Sequence, residues 1–256
     1  MRLDPSVAAQ GTRLIALESV GSTNVEALGA ARAGAAAPLW ITAEEQVAGR
    51  GRRGRTWTSP RGNLYATLLL IAPAPPAKAA QLSFVAGLAV HDAIVAVAPQ
   101  LKERLRLKWP NDVLLGDAKI VGILIEGEEI PGRGQAVVIG IGINCQTAPT
   151  DTPYRADSLA AAKVTRESVF EALSRTVAAR IAEWAAGANF AATRSAWLDR
   201  AAGVGMPILV RTGERELEGT FGAIDHDGGL ILQLADGGTD IVSAGEIMRL
   251  GAARSS

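Results

Sequence analysis

The stretch that decides the fold is Val113-Leu-Leu115-Gly116-Asp117-Ala118-Lys119-Ile-Val-Gly122-Ile-Leu-Ile-Glu126. Two aliphatic runs flank Gly116-Asp117, which is typical of a tight turn, so the pattern predicts a β-hairpin. The segments 105–109, stopped by Pro110, and 135–143 have the same strand character. The centre of the chain is therefore expected to be a sheet.

Strands and helices alternate irregularly on both sides of this hairpin. Ser22-Thr23-Asn24-Val25-Glu26 predicts a helix start, with Thr23 and Glu26 spaced as a capping box. Further strands are predicted at 13–19, 39–45 and 64–72, an amphipathic helix at about 77–97, and helices at 166–186 and 190–201. This mixture predicts an α+β domain spanning residues 1–203.

A composition break at Gly203–Pro207 precedes a region of short strands separated by Gly-rich turns. The predicted strands are 208–211, 217–224, 230–234 and 240–242. About 50 residues of closely spaced short strands predict a small closed β-barrel. We assign it to residues 204–256.

Composition limits the classes of function. Of the 256 residues, 48% are hydrophobic and 20% charged, which predicts a globular protein with a sizeable core. Lys plus Arg and Asp plus Glu both total 26, so a protein-wide basic field for nucleic acid is absent. Cys145 is the single cysteine, and with only His91 and His226 beside it no Cys/His zinc site of ordinary ligand count is expected.

The chain start, Met1–Pro5, lacks the apolar region of a signal peptide. Leu82–Val97 is the most apolar stretch, but it is short and is interrupted by Gly87, His91 and Asp92. We therefore expect a cytoplasmic protein that does not span a membrane.

One segment concentrates positive charge: Gly49-Arg50-Gly51-Arg52-Arg53-Gly54-Arg55-Thr56-Trp57. Guanidinium groups are suited to phosphate and carboxylate oxygens, and glycines let a backbone close over a ligand. We interpret the segment as a mobile loop that closes on an anion, with Trp57 as an apolar cover. A solvated charged loop, a nucleic-acid patch and a nuclear-targeting run are the alternatives.

Four further segments are candidates for a site, and each also has a structural explanation. Ser22-Thr23-Asn24 is either a ligand pocket or a helix cap. Lys108-Trp109-Pro110-Asn111-Asp112 presents polar groups in a rigid turn, which is also an ordinary Asx turn. Lys119, near Gly122, suggests a ligand against the backbone, although a lysine also protects edge strands. Gly140-Ile-Gly142-Ile-Asn144 combines bare backbone with one polar tip, and it lacks the third glycine of a dinucleotide fingerprint.

In this order the segments G-R-G-R-R-G-R-x-W, K-W-P-N-D, K-I-V-G-I-L-I-E and G-I-G-I-N resemble the motifs of biotin protein ligases over roughly residues 12–250. The resemblance implies a mixed-sheet catalytic domain followed by an SH3-like barrel. It also implies an enzyme that joins biotin to ATP as biotinyl-5′-AMP and transfers biotin to a lysine of a carrier protein. Only about 20 residues precede Ser22, so a ligase-only form without an N-terminal helix-turn-helix domain is expected.

The resemblance also assigns roles to residues. Ser22, Thr23, Asn24 and Gln46 are expected around the biotin ureido ring, while Arg50, Gly51 and Arg52 hold phosphate and carboxyl oxygens. Lys119 is expected between the biotin carboxylate and the α-phosphate, and Asn144 near the adenosine. Trp57 serves as the lid, Gly122 lies against the ligand, and Asp112 is a candidate to position or deprotonate the acceptor lysine. The expected substrates are biotin and ATP, with Mg²⁺ at the pyrophosphate.

The barrel departs from the family in one respect. Some members end a G-E-I-x-x-R run with an arginine that reaches the adenylate. Here the run is Gly245-Glu246-Ile247-Met248-Arg249-Leu250, so the arginine is one position early. On a strand this shift reverses the face, and Arg249 is left out of the predicted site.

Two alternative functions stay open. A lipoate protein ligase shares the fold and adenylate chemistry, but its apolar dithiolane would leave the polar groups of this site unpaired. A non-catalytic nucleic-acid-binding module would use the Arg loop and the barrel, although the zero net charge argues against it. The expected acceptor is the biotin carrier domain of acetyl-CoA carboxylase, with no DNA partner, and the enzyme is expected to be a monomer or a weak homodimer.

Overall fold

A seven-stranded mixed sheet forms the centre of the protein, in a computed structural model that describes residues 1–251. Its strand order is β1-β2-β3-β7-β6-β5-β4, with β1 and β2 parallel and the other neighbours antiparallel. The strands are β1 (Arg13–Val20), β2 (Leu39–Gln46), β3 (Leu64–Ile71), β4 (Leu105–Lys108), β5 (Asp112–Leu115), β6 (Ala118–Ile130) and β7 (Gly134–Ile143). The predicted hairpin is confirmed as β5 and β6, which turn at Gly116-Asp117.

Helices cover this sheet: α1 (Pro5–Ala9), α2 (Thr23–Arg32), α3 (Leu82–Val97), α4 (Arg166–Trp184) and α5 (Phe190–Leu198). The α+β class predicted from the sequence is confirmed. The predicted amphipathic helix at 77–97 is wrong in detail, because a 3₁₀ segment covers Pro76–Gln81 and α3 is buried on most of its surface. Its 16 residues pack between the sheet and α4, so an apolar helix is favoured on all sides.

The continuous segment Pro76–Val97 has 22 residues, and its most apolar 18-residue window has a mean hydropathy of 1.6, enough by length and composition to cross a bilayer. The segment is longer than the apolar stretch considered from the sequence. Of that window 67% is buried within the fold, as is common for a core helix.

The start of α2 differs from the predicted capping box. Ser22 is the N-cap residue and its side chain makes no cap hydrogen bond, while Thr23 is already helical. The Thr23 hydroxyl instead faces Gln46, whose Oε1 it contacts at 3.1 Å. Because the hydroxyl has a tertiary partner, it is withdrawn from the local cap.

The C-terminal strands form a second, antiparallel sheet of order β11-β10-β9-β8-β12. They are β8 (Pro207–Thr212), β9 (Arg215–Ile224), β10 (Leu230–Gln233), β11 (Thr239–Val242) and β12 (Glu246–Leu250). The four predicted strands are present, β12 joins them, and the closed SH3-like barrel stays a prediction. The register shifts between Ile247 and Arg249; the Arg249 side chain lies outside the described part of the chain.

The hydrophobic core runs without interruption from the first sheet to the second. Phe84 of α3 packs edge-on against Phe190 and Trp197, with ring centroids 5.6 and 5.2 Å apart. Trp109, in the turn between β4 and β5, is buried and donates from Nε1 to the Gly228 carbonyl at 3.1 Å. The second sheet is thereby fixed against the turn that borders the main cavity.

Candidate active site

A cavity of about 310 Å³ opens at one end of the seven-stranded sheet. The start of α2, the segment 46–58, the turn 109–112, strands β6 and β7 and Glu246 of the second sheet contribute to its wall. The structure places all of the predicted site residues around it: Ser22, Thr23, Asn24, Gln46, Arg50, Gly51, Arg52, Trp57, Asp112, Lys119, Gly122 and Asn144. Residues far apart in sequence therefore share one site.

Three neutral polar side chains of the inner wall, those of Thr23, Asn24 and Gln46, are joined into a line by the buried Thr67 behind them. The Thr67 hydroxyl lies 2.7 Å from Asn24 Oδ1 and 2.8 Å from the Thr23 hydroxyl. Gln46 Oε1 accepts from the Thr23 backbone N–H at 2.9 Å, and Gln46 Nε2 donates to the Ser59 hydroxyl at 2.9 Å. Buried polar groups with fixed partners are suited to recognising a small neutral polar group. We call this line, Asn24–Thr67–Thr23–Gln46, the head pocket.

Glycine makes room for the head pocket. A Cβ atom at Gly140 of β7 would lie 2.2 Å from Asn24 Oδ1, far closer than van der Waals contact allows. Gly140 belongs to the motif Gly140-Ile-Gly142-Ile-Asn144. A glycine is needed at this position because Asn24 approaches the strand backbone so closely.

The Arg/Gly segment folds as a tight hairpin. Gly51 N–H donates to the Arg55 carbonyl at 2.7 Å, and Trp57 N–H donates to the Gly49 carbonyl at 2.9 Å. At its tip Arg53 adopts a left-handed conformation with φ of 56°. Repeated hydrogen bonds across the segment hold its arginines toward the cavity entrance.

Two arginines connect this hairpin to the second sheet. Arg52 donates to the Gly245 carbonyl at 3.2 Å, and Arg55 forms an ion pair with Glu246 at 3.0 Å. Burial raises the pKa of Glu246, but the hydrogen bond and charge of Arg55 outweigh burial and lower it below its ordinary value. Glu246 therefore carries a negative charge that holds the hairpin at neutral pH.

Trp57 lies flat against two glycines of the sheet. A Cβ at Gly122 would approach its ring to 2.9 Å, and one at Gly142 would approach Nε1 to 2.4 Å. Nε1 is buried and has no hydrogen-bond partner among the described residues. The indole is therefore placed by shape rather than by hydrogen bonding.

Lys119, near the start of β6, provides a partly buried cation. Its Nζ lies 2.6 Å from Asp112 Oδ1, and its side chain is 17% exposed. That contact lacks hydrogen-bond geometry and is an ion pair. The ammonium also faces the rings of Trp57 and Tyr154, with centroids at 5.4 and 5.2 Å. The Asp112 carboxylate and the two aromatic rings hold this charge in the wall of the cavity.

Asn144 is buried at the end of β7 and has a structural partner. Its side-chain Nδ2 donates to the Asp157 backbone carbonyl at 3.0 Å, and its backbone carbonyl accepts from the Leu159 N–H at 2.9 Å. These bonds fix the loop that carries Tyr154 along the cavity.

Several residues in or next to the cavity wall were not singled out from the sequence as site residues. Thr67 and Glu126 contact Asn24 from behind the wall, Tyr154 lines the cavity and faces Lys119, and Lys108 lies close to Asp112 and Glu246 in a neighbouring depression. Burial lowers the pKa of Lys108, and the charges of Asp112 and Glu246 offset part of that effect. The end of K-I-V-G-I-L-I-E signalled Glu126; nothing local signalled Thr67 or Tyr154.

A neutral polar pocket beside a cationic hairpin and a partly buried lysine is suited to an enzyme that brings a carboxylate against a phosphate anion. Residues 19–144 match the sequence model of the biotin/lipoate A/B protein ligase family, and residues 204–249 that of the biotin protein ligase C terminal domain. The chain belongs to this family.

Individual relatives agree with the family match. A biotin–[acetyl-CoA-carboxylase] ligase of Paracoccus denitrificans is 42% identical over 239 residues, covering 90% of this chain and 98% of that protein. One of Mycobacterium tuberculosis is 34% identical, covering 95% and 91%. The solved biotin protein ligase from Aquifex aeolicus in complex with biotin and ATP superimposes with a TM-score of 0.78 at 25% identity, covering 92% of this chain and 97% of that one.

Proposed function

We infer that the protein is an ATP-dependent ligase that activates biotin as biotinyl-5′-AMP and then transfers biotin to a lysine of a carrier protein. The observation that carries this inference is the head pocket lying in the same cavity as Lys119 and the arginine hairpin. Two relatives named biotin–[acetyl-CoA-carboxylase] ligases match this chain over 98% and 91% of their own lengths. We propose the biotin carrier domain of acetyl-CoA carboxylase as the acceptor, because the names of these two relatives specify acetyl-CoA carboxylase.

In the first step a biotin carboxylate oxygen attacks the α-phosphorus of ATP, the bond to the β-phosphate oxygen breaks, and pyrophosphate leaves. Both reactants are anions, so preplaced positive charge stabilises their approach. We assign that role to Lys119, with Arg50, Arg52 and the Gly51 backbone on the phosphate and carboxyl oxygens.

Mg²⁺ would enter with ATP. Among residues 1–251 no group of three or more His, Cys, Asp or Glu side chains is placed to hold a metal. The ion would therefore be held mainly by phosphate oxygens, as is usual for Mg²⁺ in ATP chemistry.

In the second step the ε-amine of the acceptor lysine attacks the acyl carbon, and AMP leaves. The amine must first lose a proton, since its ordinary pKa is about 10.4. Asp112 is the proposed positioning or proton-accepting group. Its ion pair with Lys119 gives it a further task, which is to hold the lysine.

The remaining roles follow from position. Ser22, Thr23, Asn24 and Gln46 are proposed to surround the ureido ring, Gly122 to let the ligand approach β6, and Trp57 to cover it. Asn144 is proposed near the adenosine, where it also fixes the adjoining loop.

We propose that the chain divides into a catalytic domain, 1–203, and a C-terminal domain, 204–256. The separate family match beginning at residue 204 and the separate second sheet support this division. The cytoplasmic location, the monomer or weak homodimer, and the absence of DNA and membrane partners stay predictions from the sequence.

The transfer step is the test of this function. The protein is incubated with ATP, Mg²⁺, radiolabelled biotin and an apo biotin carrier domain. Label is expected on the carrier, and none on a carrier whose target lysine is changed to arginine. Labelling of a lipoyl domain with lipoate instead would favour the lipoate alternative, and label on neither acceptor would contradict the inference.

A further inference from the structure

Glu126, near the middle of β6, joins the head pocket to the arginine hairpin through one oxygen atom. Its Oε2 accepts from Asn24 Nδ2 at 2.7 Å and from Arg50 Nη2 at 3.1 Å. The Glu126 side chain is 29% exposed and that of Arg50 is 44% exposed. The Glu126 carboxylate therefore contacts both the head pocket, at Asn24, and the arginine hairpin, at Arg50, without lying in the cavity wall itself.

The carboxylate determines which way the Asn24 amide faces. An ionised carboxylate only accepts hydrogen bonds, so it must meet the amide nitrogen rather than the amide oxygen. Asn24 Nδ2 also lies 3.4 Å from the Leu124 carbonyl, a second acceptor. The amide oxygen is consequently turned toward Thr67, at 2.7 Å.

This orientation commits both threonine hydrogens within the head pocket. Three oxygen–oxygen contacts run along it: Asn24 Oδ1 to Thr67 Oγ1 at 2.7 Å, Thr67 Oγ1 to Thr23 Oγ1 at 2.8 Å, and Thr23 Oγ1 to Gln46 Oε1 at 3.1 Å. Each threonine hydroxyl supplies a single hydrogen, and both hydrogens are used within these contacts, while Gln46 Oε1 also accepts from the Thr23 backbone N–H. The hydroxyls thus keep no hydrogen for a ligand, so the pocket is better suited to a head group that donates N–H than to one that does not.

A flipped Asn24 amide would change how these hydrogens are used. Its Nδ2 would then donate to Thr67, the Thr67 hydrogen would turn to Thr23, and the Thr23 hydrogen would be free for a ligand, because Gln46 Oε1 already accepts from the Thr23 backbone N–H. Glu126 opposes the flip, because the amide oxygen would face a carboxylate and the Leu124 carbonyl. The use of both hydroxyl hydrogens within the head pocket therefore depends on Glu126.

We propose that Glu126 is a positioning residue that sets the selectivity of the head pocket for a cyclic urea, because it holds the Asn24 amide oxygen toward Thr67. The same carboxylate oxygen also holds the Arg50 side chain in place while the amide has this orientation. The inference rests on the proposed role of the head pocket in binding the ureido ring. A urea brings two N–H donors to a pocket whose hydroxyl hydrogens are already used, whereas a dithiolane brings none.

The test is Glu126→Gln, measured by ATP–pyrophosphate exchange over a range of biotin concentrations. Glutamine offers either an oxygen or an NH₂ group, so the Asn24 amide is free to turn. The KM for biotin is expected to rise about tenfold, the effect of one mispaired buried polar group, with kcat changed less than about threefold.

Glu128→Gln is the matched control. Glu128 lies two residues along the same strand and pairs with Arg32 through two contacts of 2.8 Å, away from the cavity. The Glu128→Gln variant also removes a glutamate–arginine ion pair, but one outside the proposed site, so its KM for biotin should stay at the wild-type value. Thermal midpoints of both variants verify that the fold is kept.

Equal KM values for biotin in the two variants would overturn the proposal. So would a fall in kcat with unchanged KM in Glu126→Gln, because the residue would then act in the chemical step. Failure of the proposed function is a different result, since the wild-type protein itself would then show no exchange with biotin.

Discussion

The ammonium of Lys119 lies 2.6 Å from the Asp112 carboxylate and faces the aromatic rings of Trp57 and Tyr154. Three separate segments thus fix one charge at the centre of the cavity. The ammonium is thus held in place where the two anionic substrates are proposed to meet, so the protein needs little rearrangement during the reaction.

Replacing this cation is expected to affect the chemical step more than the fold. Lys119→Gln should lower the rate of biotin-dependent ATP–pyrophosphate exchange by about 10²–10³-fold, the range for removing one preplaced donor. Lys78→Gln, which removes a surface contact with Asp227 of 3.7 Å, serves as the control. Wild-type exchange by Lys119→Gln would contradict the assigned role.

Two glycines of β7 allow the head pocket and the hairpin to be perturbed separately. Gly140→Ala would place a Cβ 2.2 Å from Asn24 Oδ1, and Gly142→Ala would place one 2.4 Å from Trp57 Nε1. The first is expected to raise the KM for biotin, and the second to increase protease cleavage of the hairpin. Gly127→Ala, whose nearest neighbour is the flexible Gln135 side chain at 3.1 Å, is the control.

The hairpin is expected to be mobile without substrates and fixed with them. Residues 53–56 at the tip are exposed, and the ion pairs of Arg50 and Arg55 face solvent, so opening of the tip requires little free energy. Trypsin should cleave there rapidly in the protein alone and much more slowly with biotin and ATP present. An unchanged cleavage rate would count against closure over the ligand.

Asp92 of α3 supports stability in a pH-dependent way. Burial raises its pKa, but hydrogen bonds from His91 and Arg180 and the charges of Arg180 and Arg200 outweigh burial and bring it below the ordinary value of 3.8. Because the folded-state pKa is lowered, this stabilisation is complete above the unfolded-state pKa and is lost as the pH falls through the folded-state pKa.

The variant Asp92→Asn should therefore lower the free energy of unfolding at pH 7 by about 1–2 kcal/mol, since it breaks a partly buried charged network. The difference from wild type should shrink as the pH falls below 3.8. Denaturant titrations at pH 7 and pH 3 measure both values, with the exposed Asp199→Asn as control. A difference that is equal at both pH values would contradict this assignment.

Local patterns predicted the hairpin of β5 and β6 and the polar segment at the start of α2, because both depend on short-range periodicity and turn residues. They did not predict Thr67 as part of the head pocket, since a threonine inside the buried strand β3 looks like any strand residue. Tyr154 was missed for a similar reason: its contact with Lys119 depends on a loop fixed by Asn144. The capping box failed where a tertiary partner, Gln46, displaced a local hydrogen bond.

The measurement that tests the central claim most directly is ATP–pyrophosphate exchange with biotin and, in parallel, with lipoate. The account predicts exchange with biotin and little with lipoate, because a dithiolane leaves the head pocket's polar groups unpaired at about 1–3 kcal/mol for each group. Exchange with lipoate in preference to biotin would contradict the assigned substrate. Exchange with neither acid would contradict the adenylating activity itself.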